Sequence, residues 1–176
     1  MTEPFGARWS SWDDAGIEDL TVRWDNGGWT AEGEVGGVDV HYVIRMSEFW
    51  EVRQFLLFRD MQEPDLWLAR DRFGRWGEVN GAIRADLAGC EDLSLACTPF
   101  THTIPLRRLG LAIGADVAVT AAHVDVETLG VVPVRRHYTR LGEHRWRVES
   151  DGATEEWDTD ERWVAHDLPG RFRRLG

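Results

Sequence analysis

The chain contains no lysine: all 20 of its basic residues are arginine. That absence rules out a Schiff-base lysine, a pyridoxal phosphate linkage and a phosphate-loop lysine. No stretch approaches eighteen consecutive apolar residues, so no membrane-spanning helix is expected. Neither Gly-x-Ser-x-Gly, His-Glu-x-x-His nor a glycine-rich phosphate loop occurs. The six histidines, at 41, 102, 123, 137, 144 and 166, do not pair at metal-ligand spacing, and no metal or cofactor is expected. Positive charge is also scarce. A formal net charge of -11 argues against general nucleic-acid binding, which needs phosphate-neutralising cations, and against docking on anionic membranes. The opening "MTEPFGARWSSWDD" has neither a basic start nor an apolar stretch, so it is not a secretory signal pattern and a cytoplasmic location is expected. Only two cysteines occur, Cys90 and Cys97. On one strand they would lie roughly 23 Å apart, at about 3.3 Å per residue, far beyond disulfide reach, so two free thiols are expected.

What is present is a β pattern. With 176 residues and 43% hydrophobic content, the chain supports one domain over residues 1–176. "VDVHYVIRM" puts Val38, Val40, Tyr42, Ile44 and Met46 on one face and Asp39, His41 and Arg45 on the other. "HRWRVE" sets Trp146 and Val148 against Arg145, Arg147 and Glu149. "PVRRHYTRL" and "ERWVAHDL" read as strands with mixed faces. Turn signals separate these runs, at 25–28, 35–37, 72–74, 141–144 and 150–152. The Asn-Gly inside "TVRWDNGGWTAEGEV" predicts a tight hairpin, because both residues tolerate positive φ. Short strands separated by regular turns predict an all-β, mainly antiparallel domain with very little helix. Ten tryptophans spread along the chain are expected mostly in the core, with a few left to line a groove.

One segment breaks the alternation. "TPFTHTIPLRRL", residues 98–109, carries Pro99 and Pro105, three threonines, a histidine and paired arginines in an apolar frame. The prolines argue against an ordinary helix and against a sheet interior; at most a helical turn fits around "IPLRRLGLAI". Arg107 and Arg108 either bind a carboxylate, phosphate or sulfate bidentately, or tie down buried carbonyls or a carboxylate of the protein itself. Cys97 and His102 stand near each other, but no third group orients them as a thiol–imidazole pair. The neighbouring carboxylates Asp13/Asp14, Glu91/Asp92 and Glu155/Glu156 would point to opposite faces of a strand, so adjacency gives no shared acid–base site. No catalytic constellation emerges.

This segment resembles the hallmark of a bacterial family, the putative glycolipid-binding proteins, once catalogued as a domain of unknown function. The hallmark Thr-Pro-x-Thr-Asn-Thr-Leu-Pro-Ile-Arg-Arg-Leu stands here as Thr98-Pro99-Phe100-Thr101-His102-Thr103-Ile104-Pro105-Leu106-Arg107-Arg108-Leu109. Glu48, Trp50 and Arg53 match an acidic-x-Trp element with a following arginine. "DRFGRWGEVNG", which holds Trp76, resembles an aromatic turn; Pro133 through Tyr138 and "VAHDLPGRFRRL" resemble later elements. The likeness covers roughly residues 8–174. It departs at His102, where the family carries Asn, and near Ser94, where the family carries an acid. The resemblance implies a spiral β-roll whose curved sheet shelters a glycolipid or other amphiphile. Its polar head would lie at Thr98, Thr101, His102, Arg107 and Arg108, with Trp50, Arg53, Trp76 and Tyr138 as further contacts. An enzyme acting on a small or lipidic molecule, with His102, Tyr138 or Asp92 as first candidates, and a protein-interaction module stay open. So does the oligomeric state.

Overall fold

The computed structural model describes residues 3–60 and 62–176. Thirteen strands form two sheets. The first eight-stranded sheet begins with β1 (Phe5–Ser11), β2 (Ile17–Asp25), β3 (Gly28–Val35) and β4 (Val40–Ser47). It continues through β5 (Val52–Phe58), β6 (Leu66–Arg70) and β7 (Trp76–Glu78). The last strand of the chain, β13 (Phe172–Leu175), returns to pair with β1, giving the order β13-β1-β2-β3-β4-β5-β6-β7. The second sheet has the order β12-β11-β10-β9-β8. Its strands are β8 (Asp92–Leu95), β9 (Asp116–Val124), β10 (Val131–Arg140), β11 (Arg145–Ser150) and β12 (Ala153–Asp158). All pairings are antiparallel except β8 with β9. The class is therefore all-β, as expected. No helix among the described residues is long and apolar enough to cross a membrane.

The local signals act as their chemistry dictates. Asn26 and Gly27, at φ 51° and 76°, turn β2 into β3 as a two-residue hairpin of positive-φ residues. Along β4, Val40, Tyr42, Ile44 and Met46 are all buried, whereas Val38 lies outside the strand and is exposed. Trp146 and Val148 of β11 are buried as the alternation requires. Both cysteines are free.

Residues 98–109 differ from the expectation. An α-helix, α1 (Phe100–Leu109), runs through them with Pro105 inside it. The reason is topological. Parallel strands β8 and β9 need a long crossover, and a helix is the usual way to satisfy its backbone. Pro99 occupies the N-cap, where a missing N–H costs nothing, and Gly110 closes the helix in the left-handed region at φ 55°. Phe100 through Leu106 are all buried. The threonines hold this polar helix inside by bonding to backbone. Thr98 Oγ1 accepts from the Phe100 N–H (3.0 Å), Thr101 Oγ1 accepts from the Leu95 N–H (3.3 Å), and Thr103 donates to the Trp163 carbonyl (3.0 Å).

"ERWVAHDL" is also not a strand. Residues 159–171 form a loop with isolated bridges, some of whose carbonyls meet side chains. Trp9 donates to the carbonyls of Ala165 (3.1 Å) and His166 (3.2 Å), and Arg107 donates to that of Arg162 (3.0 Å). One contiguous core joins both sheets and α1. Six tryptophans (9, 29, 50, 76, 146 and 157) are buried in it, 67 and 163 are partly buried, and 12 and 24 are exposed.

Candidate functional site

The paired arginines of α1 are engaged by the protein. Arg108 grips Asp92 of β8 bidentately, Nε to Oδ1 at 3.0 Å and Nη2 to Oδ2 at 2.8 Å. Asp92 is only 1% exposed; burial pushes its carboxyl up, and Arg108 opposes that push. Arg107 lays its guanidinium over the Trp50 ring at 4.5 Å, and Trp50 in turn stacks on Trp29. Burial lowers the Arg107 pKa. Trp50 adopts φ 65° in the turn between β4 and β5, a strained backbone for a bulky residue, and the stacking holds it there. The two arginines thus fasten the helix to opposite sheets.

A cleft opens at the other end of α1. It holds about 510 Å³ and runs between the β1–β2 turn, the β3–β4 turn and the residues entering β13. Trp9, Trp12, Val35, Val38, Cys97 and Phe172 give it a largely apolar lining. In its wall sits Glu18, 2% exposed. The position follows from strand register. Glu18 shares the inward phase of β2 with Leu20 and Val22, and it pairs across to Trp9 on β1 and Val35 on β3. Its Oε1 accepts a 2.6 Å hydrogen bond from the Tyr42 hydroxyl, which stands 3.3 Å from Thr98 Oγ1. Its Oε2 is buried with no hydrogen-bond partner among the described residues. Burial raises the carboxyl to about 7, and it raises the Tyr42 phenol well above its ordinary value. Burial, then the neighbouring Glu18, pushes the Cys97 thiol up to about 12. A thiol so held is no nucleophile.

Glycines shape this wall. Gly33, opposite Tyr42 in the β3–β4 ladder, has no room for a Cβ: one would meet the Tyr42 ring at 2.3 Å. Gly16 lets the β1–β2 turn touch the β3–β4 turn, since a Cβ there would lie 2.0 Å from the Gly36 carbonyl oxygen. Among the described residues no group of His, Cys, Asp and Glu could hold a metal ion.

Residues 6–174 match the family described as "Putative glycolipid-binding". The chain belongs to that family. A solved structure of similar shape is that of a DUF1089 family protein from Pseudomonas aeruginosa. Its crystal structure is 25% identical with a TM-score of 0.74, and the match covers 99% of this chain and 95% of that one. No curated protein matches.

Against the glycolipid-binding family's hallmark segment, the site residues divide into separate places. Thr98 stands behind Glu18 and Tyr42 at the cleft wall. His102 and Tyr138 form a buried pair, Nδ1 to hydroxyl 2.9 Å, at a second cavity. Thr101 braces the start of α1, and Arg107 with Trp50 forms the stack already described. Arg53 pairs with Glu51 at 2.5 Å on the surface. Trp76 is buried, donating to the Cys90 carbonyl at 2.9 Å. Cys97 and His102 are not hydrogen-bonded to each other; the imidazole is taken by Tyr138. Glu18 and Tyr42 escaped the sequence reading of the site. The available signal was Glu18 itself, a carboxylate in the apolar phase of "IEDLTV".

Proposed function

We propose that this protein binds an amphiphile with a hydroxylated head, the class its family name indicates, in the cleft walled by Glu18. Acyl or alkyl carbon would cover Val35, Val38 and Phe172, and the head would meet the carboxyl. One observation carries the reading: a buried carboxyl, one of whose oxygens has no partner among the described residues, at the wall of a largely apolar cleft. An unsatisfied buried oxygen is costly, and a ligand hydroxyl would satisfy it. A carboxyl titrating near 7 can donate to one hydroxyl and accept from another, which suits a sugar. Trp12, 37% exposed at the rim, offers a flat face to a ring. The head is thereby proposed near Thr98, at the start of α1, and not at the arginines that end it.

The reading is tested by titrating octyl glucoside below its micelle concentration and following tryptophan fluorescence. A saturable change is expected from Trp9 and Trp12. Glu18→Leu should weaken it at least ten-fold, and Glu18→Gln, which keeps a donor and an acceptor, by less. Affinity unchanged in a folded Glu18→Leu protein would contradict the reading.

The value near 7 also favours one alternative, an enzyme that uses Glu18 as proton donor to a lipidic substrate. Turnover of a nitrophenyl glycoside that vanishes in Glu18→Gln would establish that alternative, whereas binding without turnover excludes it for that substrate.

A further inference from the structure

Arg171 lines two spaces, the apolar cleft and a smaller cavity of about 170 Å³ beside it. The smaller one is polar: His102, Arg136, Arg171 and Glu155 all reach its wall. In a chain of net charge -11, two guanidiniums and a single carboxylate line this one cavity. That carboxylate holds one of them loosely, with Arg171 Nη1 3.5 Å from Glu155 Oε2. Arg136 gives one N–H to Ser94 Oγ at 2.5 Å and has no carboxylate partner among the described residues.

His102 supplies a third donor. It is 3% exposed, and its Nδ1 is occupied by the Tyr138 hydroxyl. Burial, then the two guanidiniums, keeps the imidazole neutral, with a pKa well below its ordinary value. Arg136, which can only donate, also faces the Tyr138 oxygen. With the phenol proton given to Nδ1, the ring's own proton sits on Nε2, which has no partner among the described residues. Three donors on separate elements (α1, β10 and the approach to β13) thus surround one small cavity. Two guanidiniums and an imidazole offer more N–H donors than one carboxylate can take, and the several oxygens of a tetrahedral oxyanion can accept them.

We propose that this cavity is an oxyanion site that takes a phosphate group, on Arg136, Arg171 and His102. Glu155 occupies Arg171 when the site is empty and is displaced when phosphate binds. Because Arg171 also lines the apolar cleft, a phosphate carried on a lipid could reach the cavity with its chains in the cleft. The site does not depend on the amphiphile reading, whose probe, octyl glucoside, carries no phosphate.

Calorimetric titration of the full chain with inorganic phosphate tests it. Saturable binding is expected, weakened at least ten-fold by Arg136→Met and strengthened several-fold by Glu155→Gln, which frees Arg171. A parallel titration with dihexanoyl phosphatidic acid below its micelle concentration distinguishes the source. Affinity ten-fold above inorganic phosphate assigns the site to a lipid headgroup, and equal affinity assigns it to free phosphate. Absence of saturable phosphate binding overturns the proposal, as does a folded Arg136→Met protein that binds normally. If Arg136→Met fails to fold, Glu155→Gln decides alone: an unchanged or weakened affinity there overturns the proposal.

Discussion

A carboxyl group at 2% exposure is tolerated either by pairing with a cation or by keeping its proton. Asp92 and Glu18 show the two solutions a few residues' reach from the same helix. Asp92 has Arg108 on both oxygens, whereas Glu18 has a phenol on one oxygen and no partner among the described residues on the other. Glu18 therefore titrates near 7, above its ordinary 4.5, and this couples folding to pH. The raised value means that the folded state favours the protonated form. Its contribution is fully present below pH 4.5 and is lost as pH rises through 7. A shift of this size corresponds to about 3 kcal/mol. Urea denaturation of the wild type should give stability falling between about pH 5 and 8, relative to Glu18→Gln, by an amount of that order. Parallel pH curves for the two proteins would show that Glu18 is ionised throughout. Gly33 belongs to the same scale. Gly33→Ala is expected to displace the Tyr42 ring and cost about 1–3 kcal/mol, read as a lower denaturation midpoint.

At the scale of elements, α1 decides the molecule. It is the crossover between the parallel strands β8 and β9, and it is fastened at both ends. Thr98 at the start reaches Tyr42 of β4, and Arg107 and Arg108 at the end reach Trp50 and Asp92. Arg108→Met leaves Asp92 buried without its cation and should cost about 3–5 kcal/mol, whereas Arg108→Met with Asp92→Asn should recover much of that loss. Equal destabilisation of single and double variants would show that the contact is not what the pair supplies. The helix is also where sequence reasoning failed. Two prolines spoke against it, yet Pro99 falls at the cap and Pro105 is carried by tertiary packing on every side. Local propensity cannot register that a parallel β8–β9 pair exists, because that pairing spans residues 92–124. The hairpins, by contrast, were legible in Asn26-Gly27 and in the strict alternation of Val40, Tyr42, Ile44 and Met46, since their causes are local.

On the scale of the whole molecule, two sheets and a buried helix enclose one core and leave space where the turns of β1–β2 and β3–β4 meet the approach to β13. Thr98 and His102 of the hallmark segment each stand at or behind the wall of a cavity. The segment did not disclose Glu18, Arg136 or Arg171, because these come from β2, β10 and the approach to β13, brought together only by the return of the chain's end to β1. Arg107 and Arg108 fasten α1 to Trp50 and Asp92, whereas Arg136 has no carboxylate partner among the described residues. The central claim, that the cleft at Glu18 holds an amphiphile, is tested most directly by native mass spectrometry of the purified protein, followed by organic extraction of what it carries. The account predicts a stoichiometric amphiphile with a hydroxylated head, present in the wild type and depleted in Glu18→Leu. A bare mass in the wild type, with no uptake when glycolipids are added, would contradict it.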